Sequence, residues 1–257
     1  MRVHARGRIV MWEGASLWIL GVRDPGVAYP KTSLHSHHAV QITLALRGSF
    51  KLRTANHTYV GDCAAVAPDV PHTFEASGLV AHLFVEPESR AGRLLGFAPP
   101  IAHVDRTTLG ELPDALITWY EADHQTDAAL IDLGRAVVAR LAGGEAVEVP
   151  DPRVRQMMVW AAGQLQHPVS LVDAARLVGL SSSRARHLFV EQTGLAFRSW
   201  FLWTRLKRAL EVYAAGASLT DAALTAGFTD SAHFSRTFRS MFGITAASLE
   251  VGRDAAR

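Results

Sequence analysis

The sequence predicts an α+β chain in which a β-rich N-terminal part and a few helices precede an all-helical C-terminal part. Three observations carry this. Up to Glu86 the chain consists of short runs rich in β-branched and aromatic residues, separated by turn residues. After Pro99-Pro100 come apolar stripes at helical spacing. Beyond these, Leu171, Asp173, Ala174, Ala175 and Gly179 recur 48 positions later as Leu219, Asp221, Ala222, Ala223 and Gly227.

The first runs are Ser16 to Val22, Val40 to Leu46, Phe50 to Thr54 and Val80 to Glu86, punctuated by Gly48-Ser49, Asn56 and Gly61-Asp62. Many short strands at close spacing predict a sandwich or barrel. The 257 residues, 49% of them hydrophobic, suffice for two domains with their own cores. The single cysteine, Cys63, excludes an intrachain disulfide framework and fits a reducing cytosol. Glu13 ends the apolar run Ile9 to Trp12 far short of a signal or membrane segment, so the expected location is cytoplasmic.

The helical stripes lie in Leu112 to Asp123 and Ala128 to Ala142, the second with Leu130, Leu133, Val137, Val138 and Leu141 on one face. Such a face either packs on its own domain or joins two protomers, and the pattern leaves both open. Gly143-Gly144 and Val149-Pro150-Asp151-Pro152 read as a linker. The expected division is therefore 1–100 (strands), 101–150 (helices) and 151–257 (duplicated helical part). A helix from Arg153 to Gln166, with Met157, Met158, Ala161 and Leu165 inward, leads into the first repeat. Phe197 to Ala214 lacks Gly and Pro and predicts a rod of about 27 Å between the two units, which suits major grooves ~34 Å apart.

Within each unit, about 171–194 and 219–243, a short alanine-rich helix leaves through Gly179 or Gly227 and a second helix starts at Ser181 or Asp230. Ala185, Leu188 and Phe189 face inward in one second helix, and Phe234, Phe238 and Met241 in the other. Outside remain Ser183, Arg184, Arg186 and His187, and Ser231, His233, Ser235, Arg236 and Arg239. Arg, His and Ser on the outer face of a helix-turn-helix suit insertion into DNA, with Arg186 and Arg236 the first candidates for guanine. Residues 151–257 hold 13 Lys/Arg against 8 Asp/Glu, whereas residues 1–150 hold 13 against 16, so the positive charge gathers on the repeats.

These two units with a helix between them, and above all the string GF-x-D-x-x-x-FSR-x-F-x-x-x-FG from Gly227 to Gly243, resemble the DNA-binding domain of AraC/XylS-type transcription regulators. Ala185, Ala246 and Ala247 depart from that pattern. The resemblance implies a bacterial-type regulator of transcription controlled by a small-molecule effector, not an enzyme. The partners it implies are double-stranded DNA, the effector, a second copy of the chain and RNA polymerase.

Two further strings, H-x-H-x(3)-Q-x(6)-G (His35, His37, Gln41, Gly48) and G-x(6)-P-x(3)-H (Gly61, Pro68, His72), are similar to the motifs of the cupin barrel. Gln41 stands where that family has a metal-binding Glu. The resemblance implies a cupin-like effector pocket built around His35, His37, Gln41 and His72. On a strand, His35, His37 and Gln41 would share one face. No cofactor is expected; a divalent metal held by His35, His37 and His72 is the rival arrangement. The alternative function is accordingly a metal-dependent cupin enzyme fused to a DNA-binding domain.

Overall fold

The computed structural model describes residues 5–22, 31–96, 99–122, 126–143 and 151–251. The strands are β1 (Ala5–Trp12), β2 (Ala15–Val22), β3 (Val40–Arg47), β4 (Phe50–Arg53), β5 (Thr58–Gly61), β6 (Cys63–Val66), β7 (Thr73–Ala76) and β8 (Leu79–Val85). Next come α1 (Arg90–Leu95), β9 (Ile101–His103), α2 (Leu112–Glu121) and α3 (Asp127–Leu141). The C-terminal helices are α4 (Pro152–Ala162), α5 (Leu171–Leu177), α6 (Ser182–Thr193), α7 (Phe197–Ala214), α8 (Leu219–Thr225) and α9 (Ser231–Phe242), followed by β10 (Leu249–Val251). Asp123, Gly144 and the Val149-Pro150 part of the expected linker lie outside the described residues. No helix among the described residues is long and apolar enough to cross a membrane.

The strands form a seven-stranded sheet, β10-β1-β2-β8-β3-β6-β9, and a three-stranded sheet, β5-β4-β7. Both faces of the larger sheet are covered, which is why β8 is buried along its whole length and β3 nearly so, without the alternation of a half-wet strand. On one face, Leu17, Ile19, Ile42, Leu44, Leu83 and Val85 pack with Leu116, Leu130, Val137 and Val138 of α2 and α3. The apolar stripe of α3 is thus used within the chain, against its own sheet, rather than by a second protomer. On the other face, Ile9, Trp18, Leu20 and Phe84 share a core with Phe50, Leu52 and Phe74 of the small sheet.

That second core does not stop at the strands. It continues through Trp203, Leu206 and Leu210 of α7 into Phe234, Phe238 and Phe242 of α9. The last strand, β10, adds to the sheet edge in parallel with β1, pairing Ala5 with Leu249 and Gly7 with Val251. By contrast, the first helix pair has its own core, built on Val154, Met157, Ala174, Ala185, Phe189 and Trp200. The second pair is therefore welded to the sheet, and the first is joined to it through α7.

Polar contacts close the same seam. Glu86 accepts a hydrogen bond from Trp203 Nε1 at 2.9 Å and pairs with Lys207. Arg8 donates to both oxygens of Asp127, at 2.6 and 2.5 Å, and to the Ala214 carbonyl at 3.4 Å at the end of α7. At the end of α9, the Gly243 carbonyl accepts from both the backbone N–H and the hydroxyl of Ser33, each at 2.9 Å. Gly243 has φ 69°, and a Cβ there would lie 2.5 Å from the Ser33 carbonyl, so both conformation and space call for glycine.

Candidate functional site

Two regions carry chemistry: the outer faces of α6 and α9, and a cavity at the seam. The helix starts are set locally. Ser181 Oγ accepts from Arg184 N at 3.3 Å, and Asp230 accepts from His233 N at 2.6 Å, which holds the Asp230 carboxyl below its usual range. Both helices end in left-handed glycines, Gly194 and Gly243. Ala185, Leu188 and Phe189 are buried on α6, and Phe234 and Phe238 on α9. Met241, expected to be buried, is only half-buried, and Phe242 takes the inner position instead.

Outside, Ser183, Arg184, Arg186 and His187 are exposed on α6. On α9, Arg236 and Arg239 are exposed, while Ser231, His233 and Ser235 are partly covered. Among the described residues, none of these four guanidinium groups has a hydrogen-bond or ion-pair partner. His187 donates from Nδ1 to the Ser183 carbonyl at 2.8 Å, which leaves Nε2 outward as an acceptor. Arg205 and Lys207, two further cations of the sequence, are committed elsewhere. Arg205 donates to the carbonyls of Leu165 and His167 at 2.9 and 3.2 Å, with its guanidinium carbon 4.7 Å from the centre of the Phe201 ring, and Lys207 is bound to Glu86. The helix expected over 153–166 ends at Ala162, and the turn that follows supplies those two carbonyls.

The cavity offers about 630 Å³ of unfilled space, part of it open to solvent. Trp18, Leu20 and Phe84 of the large sheet and Phe74 of the small one form part of its wall; Phe242, Ile244, Ser248 and Leu249 from the chain's C-terminal end form another. His35, Gln41 and His82 also line it.

The four residues of the cupin-like strings do converge, but not as one strand face. His35 and His37 lie in the segment before β3, and His35 is bridged to His72 by backbone hydrogen bonds of 3.1 and 2.9 Å. Each of the three imidazoles has Nδ1 against a backbone carbonyl: His35 on Ser33 (2.8 Å), His37 on Ala39 (2.9 Å) and His72 on Val70 (2.8 Å). A carbonyl only accepts, so each Nδ1 carries the proton and each Nε2 a lone pair. Burial opposes adding a second proton: it lowers His35, and it takes His37 to about 4 and His72 to about 2.

His35, His37 and His72 bring one nitrogen each within 4.8 Å of one another, a grouping that could surround a metal ion. The donor set argues against one. The Gln41 amide stands 3.0 Å from His37 Nε2 and 3.3 Å from His72 Nε2. As placed, Gln41 Oε1 faces those nitrogens and Nε2 faces Thr43, but two acceptors cannot pair with a third; the amide orientation that satisfies them is the reverse one, with the NH2 group donating to both. Its oxygen then faces Thr43 Oγ1, 2.9 Å away, and accepts the hydroxyl proton. Thr43 in turn accepts from His82 Nδ1 at 3.0 Å. Two of the three nitrogens are thus satisfied without a cation, and a dication among neutral imidazoles would lack a protein anion. The residues form a hydrogen-bonded cluster better than a metal centre.

Sequence reasoning missed His82, although a histidine among Val80, Ala81, Leu83 and Phe84 of a buried strand was a visible signal. It also missed Phe242, Ser248 and Leu249, whose role comes only from the packing of the C-terminal end on the sheet.

The architecture is thus a sheet domain joined to a duplicated helical pair with cationic outer faces. Residues 174–250 match the family model described as a helix-turn-helix domain. The HTH-type transcriptional activator RhaS of Enterobacter sp. (strain 638) is 26% identical over 168 residues, covering 62% of this chain and 60% of that protein. RhaS of Klebsiella pneumoniae (strain 342) is 30% identical over 106 residues, covering 41% and 38%. The chain therefore spans three fifths or less of these relatives' length. ToxT from Vibrio cholerae O395 has the same fold, with a TM-score of 0.58 over 92% of this chain and 96% of that one, at 11% identity. A Vibrio cholerae ToxT structure with an unsaturated fatty acid bound gives a TM-score of 0.50 over 91% and 95%, at 13% identity. Residues 174–250 are thus a helix-turn-helix domain, similar to that of proteins named as HTH-type transcriptional activators.

Proposed function

We propose that the protein is a sequence-specific DNA-binding regulator of transcription whose cupin-like N-terminal barrel senses a small organic effector. The observation that carries the reading is the set of exposed arginines without a partner among the described residues, Arg184 and Arg186 on α6 and Arg236 and Arg239 on α9, flanked on both helices by His and Ser. Arg186 and Arg236 read guanine; Ser183, Arg184, His187, Ser231, His233, Ser235 and Arg239 serve other bases or phosphates. The 18 residues of α7 span about 27 Å, which lets both helices enter one face of a duplex. The similarity to regulators named as transcriptional activators supports the same reading.

The effector site is the seam cavity, with His35 and Gln41 in its wall and His37 and His72 fixing them from behind. A molecule seated there touches the sheet and the last turn of the second reading unit together. Its binding energy then differs between arrangements in which the seam is closed or open, which is the condition for controlling DNA binding. That a fatty acid occupies a ToxT structure of similar fold is consistent with a small organic ligand in this chain.

The test is selection of duplexes by the full chain from a random pool, followed by Arg236→Ala. A bidentate guanine contact is worth ~1–3 kcal/mol, so the variant should lose roughly 5- to 150-fold on the selected site and much less on unrelated duplex. Equal loss on both would reduce Arg236 to a phosphate contact, and failure to select any sequence would overturn the regulator reading.

A further inference from the structure

We infer that the effector taken by this cavity is a neutral, largely aromatic molecule that donates a hydrogen bond from an O–H or N–H group, and not a carboxylate or phosphate. The inference rests on the sensing role proposed above and adds the chemistry of the ligand.

The body of the ligand follows from the walls. Trp18, Phe84 and Phe242 stand with ring centroids 4.9, 4.7 and 5.3 Å apart in tilted and edge-on pairs, leaving ring faces and edges for a further aromatic group. Leu20, Ile244 and Leu249 complete an apolar lining.

The head group follows from the proton inventory. The Ser33 carbonyl fixes the His35 proton on Nδ1, so Nε2, which has no hydrogen-bond partner among the described residues, is an acceptor on a ring that lines the cavity. The relay from Gln41 through Thr43 places the His82 proton on Nδ1 in the same way, leaving its Nε2 as a second acceptor. Of the two hydroxyls of the lining, Ser248 donates its proton to the Thr245 carbonyl at 2.6 Å, while Thr32 Oγ1 accepts from Phe74 N at 2.8 Å and keeps a single O–H to donate. Among the described lining residues there is no Lys or Arg. An anion would meet the two histidine lone pairs, apolar rings and one neutral donor, the Thr32 O–H, with no cation beside it, and an unpaired charge in such a place is strongly disfavoured. Burial also holds His82 down to about 3, so protonating the wall to receive an anion is itself opposed. A neutral donor instead pairs with one of these acceptors without bringing a charge into the cavity.

Calorimetric titration of the full chain at neutral pH with three compounds of like shape tests this. Para-ethylphenol donates and is neutral, para-ethyltoluene is neutral without a donor, and para-ethylbenzoate is an anion. The phenol should bind roughly 3- to 10-fold tighter than the toluene, the worth of one neutral hydrogen bond, and the benzoate should bind weakest. In a His35→Phe, His82→Phe variant the phenol should lose its advantage; in His82→Phe alone, toluene binding reports whether the cavity is still formed. The inference is overturned by tighter binding of the benzoate, by equal binding of phenol and toluene, by binding of none of them, or by benzoate binding that appears only with added Zn²⁺. Duplex selection without any of these compounds is a separate measurement. A preference for the benzoate would sink the ligand class and leave the regulator reading standing, whereas failed duplex selection would do the reverse.

Discussion

Because one core runs from the sheet into the second helix pair, truncating Phe242 should loosen both. Phe242 is 6% exposed and lies with ring centroids 4.7 Å from Trp18, 5.3 Å from Phe84 and 4.9 Å from Phe238. Two of those partners belong to the sheet and one to its own helix. Removing a buried aromatic side chain costs about 3–5 kcal/mol, and for a chain of this size each kcal/mol moves the melting temperature by about 2–4 °C. Phe242→Ala should therefore melt roughly 6–20 °C lower. The comparison variant is Phe189→Ala, which is fully buried but packs against Phe197 and Trp200 in the separate core of the first pair. Amide exchange read by mass spectrometry distinguishes them. Phe242→Ala should speed exchange in β2, β8, α8 and α9 together, whereas Phe189→Ala should act on α4 to α6 and spare the sheet. If Phe242→Ala leaves β2 and β8 as protected as before, the continuous core is not a cooperative unit and the coupling argued for the seam has no physical carrier.

Two other outcomes can be read from stability alone. Burial works against a charge on His38, but the carboxylates of Asp69 and Glu88 overcome it and push His38 up to about 9; Glu88 at 2.7 Å is hydrogen-bonded, while Asp69 at 4.0 Å acts through charge. Since the ordinary value is 6.5, this stabilisation is complete below 6.5 and is lost as pH rises through about 9. Urea midpoints should fall across that window in the wild type and fall less in His38→Gln; parallel declines would place the titration elsewhere. The Gln41-centred cluster predicts that dialysis against a chelator leaves the melting temperature unchanged. A loss of ~2.7 kcal/mol restored by Zn²⁺, as expected of a metal held at a hundred times its Kd, would contradict the proton assignment made for His37 and His72.

What the sequence made legible was local. The starts of α6 and α9 followed from Ser181 and Asp230, and α7 from an uninterrupted run, since each depends on neighbours within a few positions. Long-range partners were not legible in the same way. Ile9 to Trp12 looked only like a truncated apolar run, whereas the strand starts at Ala5, where Ala5 to Gly7 pair with Leu249 to Val251 at the other end of the chain as well as with β2. His35 and His37 kept the expected company of Gln41 and His72 although they are not in a strand, because a backbone bridge to His72, rather than strand periodicity, brings them in. The same holds for Phe242. Its spacing marked it only as a neighbour of the apolar stripe, and its place beside Trp18 depends on how closely Gly243 approaches Ser33. The residues that would read DNA are therefore set by short-range rules, while those that would connect reading to sensing are set by packing between distant parts of the chain. A substitution at Gly243 tests that division directly. Gly243→Ala adds a Cβ 2.5 Å from the Ser33 carbonyl at a left-handed position, so it should weaken the seam while leaving Arg236 and its helix start intact. Duplex affinity that no longer responds to an effector, with selectivity for the same sequence retained, is the expected result, whereas an unchanged effector response would show that the two parts communicate by another route.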